Sequence, residues 1–213
     1  MPLRESLERA GYQPASVSAL RFGGLAGPQA IPLSRASCEA LANHALVDIG
    51  SAIRGEEAWL LLAQPLPVPD TSDVPGLARQ VLVLANEART HGHRCGRRQF
   101  PPTPPLALSA TLSIAAQSHA DDMAKRGYFD HRNRAGQSPG ERVRATGYQA
   151  QRVGENIAYG AADAREVVAG WLRSAGHCEN LMDPRFSDMG LGLATGKGAR
   201  PAPYWVQDLA GPR

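Results

Sequence analysis

Few stretches of this chain carry chemically useful side chains at recognisable spacings. There is no G-x-S-x-G, no H-E-x-x-H and no P-loop, so no motif supports a serine nucleophile, a zinc-protease helix or a nucleotide site. Three cysteines, Cys38, Cys95 and Cys178, form no C-x-x-C pair, which leaves one disulfide and one spare thiol as the simplest assignment. The remaining candidates are histidines and carboxylates, whose chemistry is metal binding or acid–base catalysis.

One segment that contains such residues occurs twice. HCENLMDPRFSDMGL (177–191) and SCEALANHALVDIGS (37–51) share Cys, Glu, Leu, Asp and Gly at matching positions, and each is followed by a tryptophan. The copies differ at the histidine, because Ser37 stands where the second copy has His177. The first copy is either a decayed duplicate, which could keep a fold but not a site, or a coincidental helix-turn-strand pattern.

The composition argues against two classes of function. The formal net charge is +3, but the densest basic segments, RTHGHRCGRR and HRNRAGQSPGERVR, contain no aromatic residues, so we expect no nucleic-acid binding. No window approaches 18 uninterrupted apolar residues, so we expect no membrane span. The first residues carry charges of both signs and no apolar signal core, which predicts a cytosolic protein or a secreted one whose signal was trimmed.

A proline-rich, polar segment at 63–76 predicts a linker between two parts of the chain. We expect residues 1–70 to form an N-terminal α/β attachment with a short helix and a two-stranded hairpin around 54–57. An attachment of this size would be only marginally stable alone. Residues 74–213 are expected to form the main domain.

The main domain begins with helical signals and ends with strand signals. Apolar residues at helical spacing predict an amphipathic helix from Pro75 and a second one that stops at Gly127. Capping boxes in SPGERVRATG and DAREVVAGWLRSAG predict two further helix starts, and the strand-like runs DMGLGLATG and PYWVQDLA follow. Helices followed by strands predict an α+β fold with helices on a mostly antiparallel sheet.

Four motifs, in their order and spacing, resemble one known family. AAQSHADDMAKRGYFDH, GENIAYG, WLRSAGHCENLMDP and YWVQDLA resemble the CAP superfamily of cysteine-rich secretory proteins, antigen 5 and plant pathogenesis-related proteins, in its bacterial SCP-like form. The resemblance covers residues 74 to 211. It implies a three-layer α-β-α sandwich, a secreted or periplasmic setting, and an open cleft where two histidines and acidic side chains meet.

Carried over by position, the resemblance implies that His131, His177 and Glu155 line this cleft. These residues would hold a divalent ion, most readily zinc, or act without metal as acid and base. The animal and plant members place a second glutamate where this chain has Ser174, so the implied cleft includes Ser174 and departs from the animal-type four-residue site.

Several histidines and polar residues also have structural interpretations. His131 could be a solvated loop residue, and Glu155 could bind backbone N–H groups instead of a metal, or as well as one. His119 lies on the apolar stripe of its helix and is predicted to be a hydrogen-bonded core residue. Asn156 is predicted to satisfy local backbone groups in a turn.

The cysteine pairing is predicted from the placement of the thiols relative to the domain. Cys178 directly follows a cleft histidine and Cys95 is expected to end the first helix of the domain, so a bridge between them would pin the cleft to that helix. Pairing of Cys38 with either partner remains open, as do three reduced thiols in a cytosolic protein.

Two classes of function follow from this resemblance. The preferred one is a secreted binding module whose cleft takes a divalent cation and a lipid-like or peptide ligand, or an extracellular protein partner. The alternative is a metal-dependent hydrolase, peptidase-like, that uses the same cleft.

Overall fold

The computed structural model describes residues 3–10, 12, 14–23, 33–65, 67–196 and 202–212. These residues form two compact units, which divide between Pro67 and Val68. Helices and strands are both abundant, which confirms the α+β class. Within the described ranges, no helix is long and apolar enough to cross a membrane.

The first unit is built on a three-stranded antiparallel sheet in which β3 lies between β1 and β2. Its elements are α1 (Leu3–Arg9), β1 (Pro14–Phe22), α2 (Arg35–Leu41), β2 (Asp48–Arg54) and β3 (Glu57–Pro65). Gly55 closes the β2–β3 turn at a φ of 62°, in the left-handed region that favours glycine. The hairpin predicted around 54–57 is therefore confirmed.

Strand β3 continues into the segment that was predicted as a linker. Ala63 pairs with Val17 and Gln64 with Ser16, so the prediction of a linker from residue 63 is wrong. The reason is β1, which no sequence pattern predicted and which supplies the partner backbone for the end of β3.

The second unit contains the longer helices and the larger sheet. In chain order its elements are α3 (Val74–His91), β4 (His93–Cys95), β5 (Arg98–Phe100), β6 (Ala107–Leu108), α4 (Ala110–Arg126), α5 (Pro139–Ala145), β7 (Ala150–Tyr159), α6 (Ala164–Arg173), α7 (Ala175–Met182), β8 (Asp188–Thr195) and β9 (Pro203–Pro212). The sheet order is β6-β8-β9-β7, antiparallel except for the short parallel pair β6–β8. Strand β7 is therefore one edge of the sheet.

Helices cover both faces of this sheet, which gives the expected three layers. On one face α3, α6 and α7 pack around Trp171 and Leu191. On the other, α4 packs Ala116 against Val206. Helix α4 comes very close to β8, because a Cβ at Gly192 would lie 2.3 Å from the carbonyl carbon of Ala116.

The two copies of the repeated motif have the same local structure. In segment 37–51 helix α2 leads to β2, and in segment 177–191 helix α7 leads to β8. The strand orders β1-β3-β2 and β7-β9-β8 also correspond, with antiparallel pairing throughout. Duplication of the C-terminal half of the second unit predicts this topology. Ser37 lies in the first turn of α2, where its backbone N–H donates to the side chain of the N-cap residue, Ser34.

Candidate functional site

His131 lies in the loop that follows α4, and hydrogen bonds hold the backbone on both sides of it. Helix α4 ends at Gly127, a left-handed C-cap. Buried His119 on α4 donates from Nε2 to the carbonyl of Asp130 at 2.8 Å, and Arg142 donates from Nη1 to the carbonyl of His131 at 2.8 Å. His119 is 1% exposed, so its predicted core role is confirmed.

The side chain of His131 is oriented by Glu155 on β7. His131 Nδ1 lies 2.7 Å from Glu155 Oε1, while Arg142 binds Oε2 of the same carboxylate. Because a carboxylate only accepts, Nδ1 carries the hydrogen, and Nε2 of the neutral ring keeps its lone pair. The hydrogen bond to Glu155 raises the pKa of His131.

The second histidine comes from the opposite side of the sheet. His177 lies in the first turn of α7 and is half-buried. Burial lowers the pKa of His177, and the charge of His131 lowers it further. Ser174 is the N-cap of α7, but its side chain makes no capping hydrogen bond there.

The candidate site combines two imidazoles with one buried carboxylate. The side chain of Glu155 is 1% exposed, and its two oxygens are engaged by His131 and Arg142. Within the described ranges, no group of three or more His, Cys, Asp or Glu side chains is placed to hold a metal ion. Both oxygens of Glu155 are therefore occupied by protein partners, and the His131 ring is engaged through Nδ1.

Two buried charged residues of the site were missed by the sequence analysis. Arg142, in a loop-like basic stretch of sequence, is 7% exposed and pairs with Glu155. Asp208 on β9 is fully buried opposite Glu155 in the β7–β9 ladder, and neither of its carboxylate oxygens has a hydrogen-bond partner among the described residues. A single acidic residue inside the apolar run YWVQDLA was the available signal for Asp208.

Burial without a partner raises the pKa of Asp208, and the charge of Glu155 raises it further. A carboxyl group whose pKa is higher in the folded protein than the unfolded pKa of about 3.9 favours folding while it is protonated. That contribution to stability is lost as the pH rises from the unfolded pKa through the folded pKa. We therefore expect Asp208→Asn to stabilise the protein by roughly 1–3 kcal/mol at pH 8 and by less at pH 5. Urea denaturation of both proteins at the two pH values measures this, and an equal difference at both would contradict it.

Asn156 does not lie in a turn, so that prediction is wrong. It is a fully buried residue in the middle of β7. Its Nδ2 donates to the carbonyl of His177 at 3.2 Å and to Gln207 Oε1 at 3.0 Å, and its Oδ1 accepts from Asn180 Nδ2 at 3.0 Å. The sequence pattern missed this because the residue's partners are distant along the chain.

A disulfide joins the first turn of α7 to the hairpin that follows α3. Cys95 on β4 is bonded to Cys178 on α7, with their Cα atoms 5.4 Å apart, and Cys38 is free and exposed. The bonded pair is the one expected from the sequence. It fixes the residue that directly follows His177.

Most of the second unit is similar in sequence to known proteins. The sequence model of the cysteine-rich secretory protein family (CAP) matches residues 84–209. The chain is 31% identical over 140 residues to the uncharacterized protein YkwD of Bacillus subtilis (strain 168), an alignment that covers 66% of this chain and 49% of YkwD. It is 30% identical over 115 residues to the uncharacterized membrane protein YlbC of the same organism, covering 54% of this chain and 31% of YlbC. The chain thus spans half or less of these relatives.

Solved structures show the same fold at low identity. An extracellular protein containing a SCP domain from Bacillus anthracis superposes with a TM-score of 0.53 at 20% identity, covering 94% of this chain and 80% of that one. An outer surface protein from Borrelia burgdorferi superposes with a TM-score of 0.52 at 19% identity, covering 68% of this chain and 96% of that one. Because the family match extends over more than half of the chain, from α3 to β9, and the fold agrees, this chain belongs to the cysteine-rich secretory protein (CAP) family.

Proposed function

We propose that this CAP protein is a binding module whose cleft takes a divalent cation, most readily zinc, between His131 and His177. The observation that carries the proposal is the 2.7 Å hydrogen bond from His131 Nδ1 to Glu155, because it keeps the Nε2 lone pair available. Two imidazoles leave further coordination positions for water or a ligand group. A bound cation would supply a positive centre that attracts an anionic group.

Glu155 supports this site from behind His131. Histidine ligands of metals commonly donate their second N–H to a carboxylate, which fixes the ring and raises its basicity. Glu155 is buried and engaged in this way, and Arg142 compensates its charge. Its contacts favour this supporting role over direct coordination.

A lipid-like ligand fits the second unit better than an extended peptide. An open apolar groove of about 1140 Å³ runs along β8 between α3 and α4. Val74, Ala78 and Ile114 are among its lining residues, whereas His131, Glu155, Ser174 and His177 are not. The amide of Gln117 bonds both the N–H and the carbonyl of Leu193, at 3.1 and 2.9 Å. The strand edge therefore offers a peptide little free backbone there, and the groove suits an acyl chain.

Binding of a fluorescent long-chain fatty acid tests this groove. Ile114 is 62% exposed, so Ile114→Glu should leave the fold intact while it places a charge among apolar walls. We expect roughly tenfold weaker fatty-acid binding, because burying a charge without a partner is unfavourable. The exposed Val83→Glu, on a surface outside this groove, is the matched control. Equal binding by both variants would contradict the assignment.

A metal-dependent hydrolase is the second candidate function. The observation in its favour is the His131–Glu155 pair, since a histidine oriented by a carboxylate is a common zinc ligand and a zinc-bound water can act as the nucleophile. Calorimetric zinc titration combined with a turnover screen on peptide and ester substrates separates the two functions. A binding module holds zinc without turnover, whereas a hydrolase shows turnover that His131→Ala removes.

We propose that the protein is secreted or periplasmic, because its disulfide is characteristic of oxidising compartments. Alkylation of the native protein without reduction should label Cys38 alone, and a linked Cys95–Cys178 peptide should appear in non-reducing mass spectrometry. Three alkylatable thiols in protein isolated from its native compartment would contradict this localisation.

A further inference from the structure

The two histidines of the cleft reach the edge strand β7 from opposite faces of the sheet. Alternate residues of a strand point to opposite faces. Glu155 contacts His131 and Arg142 on the side of α4 and α5, whereas its neighbour Asn156 contacts α7 on the other side. The spacing of the histidines therefore depends on how α7 is held against β7.

Two asparagines make this connection reciprocally. Asn156 on β7 donates to the carbonyl of His177 on α7 at 3.2 Å, and Asn180 on α7 donates to the carbonyl of Glu155 on β7 at 3.2 Å. A third bond of 3.0 Å joins the two side chains. Each asparagine thus holds the backbone of a site residue that belongs to the other element.

The donors of this pair are fully used. Asn156 Nδ2 has two acceptors, and so does Asn180 Nδ2, so all four amide hydrogens are engaged. Gln207 on β9 accepts one of them at 3.0 Å and anchors the pair to the sheet interior. Because every amide hydrogen of this partly buried network is engaged, a shift of either element would leave at least one polar group without its partner.

The first unit shows that the helix-to-strand fold does not require an asparagine at the position of Asn180. Its repeated motif forms the same helix and strand, yet Ala40 stands at the position aligned with Asn180. That copy also has Ser37 in place of the cleft histidine. The asparagine is thus present in the copy that carries the histidine and absent from the copy that does not.

We propose that Asn156 and Asn180, the asparagine clamp, are positioning residues that set the separation of His131 and His177 and thereby the cation affinity of the cleft. This inference rests on the proposed cation-binding function. The clamp touches no ligand itself and acts through the backbone of His177 and Glu155.

Zinc titration of Asn180→Ala tests the clamp. Alanine suits a helix, so the fold should be retained, and we expect zinc affinity to fall roughly tenfold, as for other residues that support metal ligands. The matched control is Asn86→Ala, which removes an amide that makes two backbone bonds to Leu106, at 2.7 and 2.9 Å, away from the cleft. Both variants should melt at lower temperature, but only Asn180→Ala should lose affinity. Wild-type affinity in Asn180→Ala would overturn the proposal.

Crystal structures without metal separate this inference from the proposed function. In Asn180→Ala the distance between His131 Nε2 and the His177 ring should change by about 1 Å, beyond the tolerance of a well-ordered site, and in Asn86→Ala it should not. Asn156→Ala should shift it in the same way. If the wild type does not bind zinc, the proposed function fails, and an unchanged distance in both clamp variants overturns the clamp.

Discussion

Replacing either His131 or His177 with alanine is expected to abolish measurable zinc binding. Each supplies one of the two imidazoles of the cleft, and Glu155, already engaged by His131 and Arg142, cannot take the place of a lost nitrogen. Protein zinc sites use three or four protein ligands, and the proposed site has two histidines among the described residues. A single remaining histidine would therefore hold zinc only weakly. Isothermal titration calorimetry of both variants measures the loss.

The control for this result is His119→Ala. His119 is buried beneath the same loop and donates to the carbonyl of Asp130, so its loss should lower stability and weaken zinc binding by no more than roughly tenfold, without abolishing it. Unchanged zinc affinity in both cleft variants would show that the ion, if bound, lies elsewhere.

The pH dependence of zinc binding has a defined sign. A ligand histidine must lose a proton to bind, so protons compete with zinc. The hydrogen bond to Glu155 raises the pKa of His131, whereas burial lowers that of His177. As the pH is lowered from 8, we therefore expect zinc affinity to begin to fall while the pH is still above about 6.5, the ordinary pKa of histidine. The reason is that His131, whose pKa is raised, takes up its proton first. Titrations from pH 8 to pH 5 measure this onset.

Arg142→Met is expected to destabilise the protein by about 3–5 kcal/mol, the cost of leaving one member of a buried ion pair alone. Glu155 would remain 1% exposed without its cation. The carbonyls of His131 and Gln137 would also lose their donor, at present 2.8 and 3.0 Å away. Urea denaturation followed by circular dichroism measures the change.

Arg144→Met on the same helix is the matched control for that substitution. Arg144 is exposed, so its replacement should change stability by less than about 0.5 kcal/mol. The double variant Arg142→Met with Glu155→Gln should recover part of the loss, because it removes the stranded charge. Equal stability of the two arginine variants would show that the buried pair is not formed in solution.

The family could be identified from the sequence because its motifs are local. The spacing around His131, Glu155 and His177 is carried within short segments, and helix starts depend on neighbouring residues, as the capping box of Ser138 and Glu141 shows. The core position of His119 followed from helical periodicity alone. The pairing of Cys95 with Cys178 followed from their places in the domain.

The interactions between distant segments depended on the tertiary structure. Strand β1 became visible only as the partner of β3, and Arg142, Asp208 and Asn156 owe their roles to groups that lie 13 to 53 positions away along the chain. Burial and strand pairing are properties of the folded chain, so periodicity can indicate which face of an element is buried but not which residues it contacts.

The sequence by itself determined the family, the fold class and the two cleft histidines as candidates. Only the tertiary structure decided that Glu155 contacts His131 and Arg142, and that Asn156 and Asn180 join β7 to α7. The physical reason is that contacts between distant segments determine which buried charge has a partner and which amide has all its hydrogen bonds.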